Sequence, residues 1–310
     1  MPRPAHVPVL PRETLRVLNL KPGHIAVDCT LGLGGHSGEM LKRVGPGGRL
    51  VSTDFDASNL ERARAHLQAT NDSIRFPAQF DLVHGNFAGL PEALQALGIS
   101  QVNAILADIG VASTQIDDPA RGFSYRQDGP LDMRMDPTRG QPASALLARM
   151  TEQDIRDALL ELGDETDAPQ IAKLIVARRK SKPIVTTFDL MALVCEARDF
   201  TLARAAGAKL HPAARTFQAL RILVNRELAN LQRLLDVAPA LLVPAGVIAI
   251  ITFHSGEDRI VKQMFKDGLR AGVYDEAPDD PITATPDEVR KNARSRSAKL
   301  RWARRSGQTQ

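Results

Sequence analysis

Over the first hundred residues, short apolar runs ending on a polar or acidic residue alternate with helix-spaced segments, a pattern that predicts βαβ units and a parallel sheet. His24–Cys29 (HIAVDC), Arg49–Asp54 (RLVSTD), Phe80–His84 (FDLVH) and Val102–Asp108 (VNAILAD) read as strands. His36–Val44, Ala57–Ala69 and Pro91–Leu97 have helical spacing, and Gly45-Pro46-Gly47-Gly48 stops the first of these. From Ile109 to Pro142 the rhythm is lost, and a loop of that length is usually functional or disordered. Helical patterns return at Thr151–Gly163, Asp167–Lys180 and Thr187–Ala205, with no strand pattern among them. Arg215–Ala238 reads as one long amphipathic helix, with Phe217, Leu220, Val224, Leu228, Leu231 and Leu235 on one stripe. Val247–Phe253 (VIAIITF) is apolar on both faces, as a central parallel strand should be, and KLRWARR (Lys299–Arg305) reads as a final edge strand. The expected organisation is one α/β domain over residues 1–115 and 208–310, interrupted by an inserted helical domain over 116–207.

Composition narrows the class. The length of 310 residues suits one large or two ordinary domains. Two cysteines, Cys29 and Cys195, are too few for a disulfide framework and point to a reducing cytosol. The greasiest stretch, Val237–Phe253, is interrupted by Pro239, Pro244 and Gly246, so neither a membrane span nor an export signal is expected. The seven histidines show no metal-ligand spacing, and no structural zinc is expected. Net charge is only +4, from 40 Lys and Arg against 36 Asp and Glu, but its distribution is uneven. Val289–Gln310 carries eight basic residues and no acid, and Lys173, Arg178, Arg179, Lys180 and Lys182 cluster in the insert, both patterns suited to an RNA partner.

The candidate chemistry lies at strand ends. D28-C-T-L-G32-L-G34-G35-H36-S37-G38 joins the first strand to the first helix, where glycines permit a tight turn and the helix start offers free N–H groups. Asp54, ending the second strand, suits the two ribose hydroxyls of a nucleoside cofactor. Ser37 stands where a dinucleotide fingerprint needs its third glycine, and no GK[ST] is present. Asp28 before the glycines favours a cationic cofactor, since opposite charges about 4 Å apart gain roughly 4 kcal/mol gross at an effective dielectric of 20. Asp108 ends the fourth strand, and it and Gln115 are expected at the mouth that holds Gly34 and Asp54. If the cationic cofactor is a sulfonium methyl donor such as S-adenosylmethionine and its acceptor an exocyclic amine, a carboxylate there accepts the amine N–H and restores electron density to nitrogen. Phe87 is placed to pack beside an adenine or in the core, and His254 and Glu257 to position the acceptor. Ser255 with Asp258 also reads as an ordinary capping box, and His36 as a packing residue.

Eight blocks in order make the chain resemble the bacterial 16S ribosomal RNA cytosine-N4 methyltransferases, the RsmH (MraW) family. They are His6-Val-Pro-Val-Leu10, DCTLGLGGHS from Asp28, DIGVASTQID from Asp108, RGFSY from Arg121, GPLDMRMD from Gly129, HPAARTFQALRI from His211, FHSGEDRIVK from Phe253 and NARSRSAKLR from Asn292. The resemblance implies a Rossmann-like class I methyltransferase sheet with an all-helical insert for substrate recognition. It implies S-adenosylmethionine as donor and a decoding-centre cytidine, position 1402 in the usual rRNA numbering, of 16S rRNA in the 30S subunit as acceptor. Family cofactor contacts fall on Gly34, Gly35, His36, Asp54, Phe87, Asp108 and Gln115. A cytoplasmic location follows, and monomer and homodimer are both left open.

Three departures stand out. Members commonly read GVSSPQ where this chain has Gly110-Val-Ala-Ser-Thr-Gln115, leucine where Gly256 stands, and an acid where Arg226 stands. Rival readings are a non-catalytic ribosome-assembly factor, an NAD(P)-dependent oxidoreductase, which Ser37 disfavours, and a DNA amino-methyltransferase, whose DPPY-like loop is replaced by DIGV.

Overall fold

A computed structural model describes residues 8–75, 77–208 and 210–307; His6 and Val7 of the first family block, and the last three residues of the basic tail, lie outside the described residues. In chain order the elements are α1 (Pro11–Leu18), β1 (Ile25–Asp28), α2 (Gly35–Val44), β2 (Arg49–Asp54), α3 (Ala57–Asp72), β3 (Gln79–His84), α4 (Leu90–Ala96) and β4 (Val102–Asp108). There follow α5 (Ser113–Asp117), α6 (Ala143–Arg149), α7 (Glu152–Gly163), α8 (Ala168–Arg178), α9 (Thr187–Ala197), α10 (Leu202–Ala206) and α11 (Ala214–Asn225). The chain closes with α12 (Glu227–Leu241), β5 (Leu242–Thr252), α13 (Ser255–Arg270), β6 (Tyr274–Glu276), β7 (Ile282–Thr283), α14 (Pro286–Lys291) and β8 (Lys299–Arg305). Two compact units result, Met1–Gly110 with Leu228–Gln310, and Val111–Glu227.

The first unit is a sheet of order β3-β2-β1-β4-β5-β8-β6, with β7 also on β8. β1 to β5 are mutually parallel and β8 is antiparallel to both neighbours. Alternation along the central strands explains why both faces are covered. Val27, Ile105, Ile248 and Ile250 point to a core shared with Leu90 and Leu94 of α4, Leu231 and Leu235 of α12 and Phe265 of α13. Ala26, Leu50, Leu106 and Ala249 point the other way, against Met40, Leu41 and Val44 of α2 and Leu18 of α1. A strand apolar on both faces must lie between helical layers, and all five C-terminal ends of the parallel strands open on one edge.

Five expectations are corrected. The stripe from Arg215 to Ala238 is two helices, because Arg226 takes a left-handed φ of 52° between α11 and α12. Its residues serve two cores: Phe217 and Leu220 pack with Ile155 and Leu159 of the second unit, and Leu231 and Leu235 under the sheet. The observed boundary therefore falls after Glu227 rather than at 208, since α11 packs on α7, where Gly163 lies tight against the Arg215 carbonyl. The stretch 109–142 is not featureless: α5 and a single 3₁₀ turn at Pro119–Arg121 lie within it. The expected helix Thr187–Ala205 breaks after Ala197 and resumes as α10. Finally, β8 is an interior strand, flanked by β5 on one side and β6 and β7 on the other.

Candidate active site

The glycine turn is held from beneath by buried polar side chains. Asp28, at the end of β1, is fully buried; one carboxylate oxygen accepts the Thr30 N–H at 3.1 Å and the other accepts the Ser37 hydroxyl at 2.6 Å. Ser37 Oγ lies 2.8 Å from Ser52 Oγ of β2, so the first turn of α2 is tied to two strands. Burial raises the Asp28 pKa, against the pull of the Ser37 and Thr30 hydrogen bonds. This corrects the expectation that Asp28 faces a cationic cofactor: its carboxylate is wholly buried beneath the turn and bonded to the turn's own groups. It also gives a reason for serine at the third glycine position, because a glycine there has no hydroxyl for Asp28. Above this floor Gly34 caps α2 with φ 84°, a left-handed value that favours glycine, and the half-buried Gly35 and the buried His36 start the helix.

Asp54 closes the turn from β2. Its Oδ2 accepts the Gly32 N–H at 2.8 Å, and Oδ1 accepts from the Asp56 N–H at 2.8 Å and the Asn59 amide at 3.2 Å. Burial pushes its pKa up to about 6, with these hydrogen bonds opposing. A carboxylate has about four lone-pair sites, so three contacts leave capacity for a further donor. Phe87 is half-buried in a 3₁₀ turn that Asn86 caps by accepting the Ala88 N–H, and it packs against the core beside Val83.

Asp108 sits at the end of β4, its N–H donating to Thr30 Oγ1 at 2.7 Å. Its carboxylate is 17% exposed; Oδ1 has no hydrogen-bond partner among the described residues, and Oδ2 is 3.7 Å from His36 Nε2. Burial, then the charges of Asp28 and Glu257, push its pKa up to about 8. A carboxyl that faces two others, with one oxygen buried and unbonded among the described residues, is in an environment that a positive ligand relieves.

The His254 loop differs from expectation by one residue. The cap of α13 is His254, not Ser255: His254 Nδ1 accepts the Glu257 N–H at 3.4 Å, while Glu257 Oε2 accepts the N–H groups of Phe253 at 2.9 Å and His254 at 3.4 Å. His254 Nε2 lies 3.0 Å from Glu257 Oε1, but without hydrogen-bond geometry, and both atoms are buried with no hydrogen-bond partner among the described residues. Gly256 makes room for this: a Cβ there would stand 3.2 Å from the His254 ring. Asp258 instead pairs with Arg301 at 2.6 Å and Lys299 at 2.8 Å. Gln115 belongs to the second unit, where it is buried on α5 and its carboxamide oxygen accepts the Ala112 N–H at 3.0 Å. Thr30 and Asn59 were not singled out in the sequence, and Ser37 was noted only for the glycine it replaces; Thr30 lies two residues from Asp28, a separation common to ordinary Asx turns and uninformative alone.

A sheet of this order with one antiparallel strand in its second half, and glycine turn, Asp54 and Asp108 at the ends of adjacent parallel strands, defines a Rossmann-like class I methyltransferase. The MraW methylase family model matches residues 3–306, and the chain belongs to that family. Similar relatives are the proteins called ribosomal RNA small subunit methyltransferase H in Sorangium cellulosum (44% identity; 99% of this chain and 93% of the relative) and Koribacter versatilis (42%; 97% and 94%). A third, of the same name, is from Acidobacterium capsulatum (39%; 98% and 99%). The chain is thus a methyltransferase, with S-adenosylmethionine as donor. Among the described residues no helix is long and apolar enough to cross a membrane.

Proposed function

We propose that this methyltransferase acts on small-subunit ribosomal RNA, and that its acceptor is the exocyclic N4 amine of a decoding-centre cytidine in 16S rRNA. The names of the relatives support the substrate class, and Asp108, with one oxygen unpartnered among the described residues at the crevice end of β4, supports an amine acceptor. The residues present fit the donor: a cluster of carboxyls around Asp108, without a Lys or Arg ion pair to it among the described residues, suits a cation. Gly34, Gly35, His36, Asp54, Phe87 and Asp108 of the first unit are the residues proposed to hold it, Asp54 through ribose hydroxyls; Gln115, on the second unit, stands only as what the family resemblance implies. When bound, the donor supplies an electrophilic methyl on a sulfonium. Asp108 accepts the amine N–H, which returns lone-pair density to nitrogen, and then holds the proton on its carboxyl. His254 and Glu257, adjacent at the start of α13, are proposed to position the acceptor, with Glu257 as a buried charge acting on Asp108. The helical unit, 111–227, is proposed to recognise the RNA.

Small subunits lacking the modification should take up label from S-adenosylmethionine, whereas large subunits and duplex DNA should not. Label in DNA would favour the amino-methyltransferase rival, and no label in any acceptor the assembly-factor reading. Asp54→Asn should weaken donor binding at least tenfold by calorimetric titration, about 1.4 kcal/mol, while kcat at saturation changes less. Unchanged affinity would remove Asp54 from the ribose role.

A further inference from the structure

The basic tail is less free than its sequence suggests. Lys299 and Arg301 pair with Asp258, Arg304 with Asp275 and Glu276, Arg290 with Asp287, and Arg305 donates to the Leu242 carbonyl. Asp258, Asp275 and Glu276 are supplied by other elements, and Asp287 by the same helix, α14, that carries Arg290. The basic run of the insert is similarly committed at Arg178 with Glu196, Lys182 with Asp189, and Arg179 on the carbonyls of Leu147 and Met150. What remains in the tail is Lys291, Arg294 and Arg296, all exposed, with no side-chain hydrogen bond or ion pair among the described residues.

Topology places these three at the crevice edge of the sheet. β8 starts at Lys299, which pairs with Thr252, the last residue of β5, while Asp108 pairs one register step earlier with Ile251. The 3₁₀ segment Ala293–Ser297 leads into β8 from beyond that edge. It is anchored: Ser295 is wholly buried and donates to the Asn292 carbonyl at 2.8 Å, and Ala298 packs in the core beside Val9 and Leu10. With Ser295 turned inward, the flanking Arg294 and Arg296 are turned to solvent. The start of α1 joins the same edge, since the Leu10 N–H donates to Glu288 of α14 at 2.7 Å and a Cβ on Gly35 would meet Pro8 at 3.1 Å. Arg12, in the first turn of α1, is exposed and has no side-chain hydrogen bond or ion pair among the described residues. The acids nearby in sequence are Glu13, Glu288, engaged with Leu10, and Asp287, engaged with Arg290.

We propose that Arg12, Lys291, Arg294 and Arg296 form a phosphate-binding rim at the crevice mouth that holds the RNA strand flanking the target nucleotide. The proposal rests on the rRNA reading above and adds to it the surface that meets the backbone. Four cations fixed on anchored backbone, with acids largely engaged elsewhere, complement a polyanion; such contacts position a nucleic acid without reading its sequence. Each phosphate contact to a single strand adds roughly 0.7 to the slope of log affinity against log salt.

The test is methylation of unmodified small subunits by the full-length triple variant Lys291→Ala, Arg294→Ala, Arg296→Ala across a salt series, beside wild type and the variant with Arg294→Lys and Arg296→Lys. The triple variant should raise KM for subunits at least tenfold with little change in kcat, and its salt slope should be shallower by about 2. The lysine variant should keep the wild-type slope, and donor affinity and Tm should be unchanged in both. An unchanged KM and slope in the triple variant would overturn the rim while leaving the rRNA reading intact, and would redirect the patch to a protein partner. A KM rise accompanied by weakened donor binding or lowered Tm would also overturn it, as damage to the fold. Failure of wild type to methylate subunits would overturn the rRNA reading and the rim with it.

Discussion

Asp108→Ala is expected to lower kcat by about 10²–10⁴, the range of a lost acid–base contribution, while donor affinity at pH 7 changes less than tenfold. The asymmetry follows from its protonation. In the donor-free protein burial and the charges of Asp28 and Glu257 push the Asp108 pKa up to about 8, so at pH 7 it is mostly a neutral acid. The groups facing it are Asp28 and Glu257, both acidic, and His36 Nε2 at 3.7 Å. A cationic donor favours the ionised form, so binding at pH 7 releases a proton. Donor affinity in wild type should therefore rise as pH increases from 6 towards 8 and level above it, whereas Asp108→Ala should be flatter across that range. Calorimetry in buffers of different ionisation enthalpy reads the released proton directly; no buffer dependence at pH 7 would contradict the assignment. The stability sign runs oppositely. A carboxyl whose folded pKa lies above its unfolded value is favoured by the fold in its protonated form, so this group's contribution is full below pH 4 and is lost as pH rises towards 8.

Asp258→Ala should cost about 3–5 kcal/mol of stability, the penalty for stripping the partner from a buried charge. Arg301 is only 5% exposed on the interior strand β8, and Asp258 binds its Nε at 2.6 Å while also taking Lys299 at 2.8 Å. Arg301 keeps a hydrogen bond to the Asp279 carbonyl at 2.7 Å, which does not neutralise it. Burial alone raises the Asp258 pKa, but the hydrogen bonds from Arg301 and Lys299 together outweigh it and hold the carboxyl below its ordinary value. The ion pair's contribution is thus present above about pH 4 and is lost as pH falls through the lowered pKa. Thermal unfolding of Asp258→Ala should show a Tm several degrees lower than wild type at pH 7, with the gap closing in acid. An equal Tm at pH 7 would mean that β8 is held by its ladder and apolar contacts alone.

The β1 to β5 strands were legible because each is a short apolar run, and both-face apolarity at VIAIITF correctly marked a central position. The break at Arg226 was not legible. An apolar 3.6-residue stripe continues across it although its two halves face different cores, and periodicity cannot tell one burial partner from two. β8 was read as an edge because its charged residues suggest solvent, yet Arg301 and Lys299 find Asp258 and Arg304 finds Asp275 and Glu276. Long-range charge pairing of this kind leaves no local spacing to read. The same blindness made the whole tail seem available to RNA. At the site, Asp54 and Asp108 stand at the crevice ends of β2 and β4, where strand-ending acids in a parallel sheet are expected. Asp28 misled because its side-chain direction depends on a hydroxyl nine residues later. The His254 cap was missed by one position because His is an uncommon N-cap beside serine.

The most direct test is nucleoside mass spectrometry of 16S rRNA recovered from unmodified small subunits after incubation with this protein and S-adenosylmethionine carrying a heavy methyl group. The account predicts heavy N4-methylcytidine, from a single decoding-centre position, formed at least about a hundredfold more slowly when Asp108→Ala replaces wild type. A heavy methyl on cytosine carbon, on adenine or on ribose would contradict it.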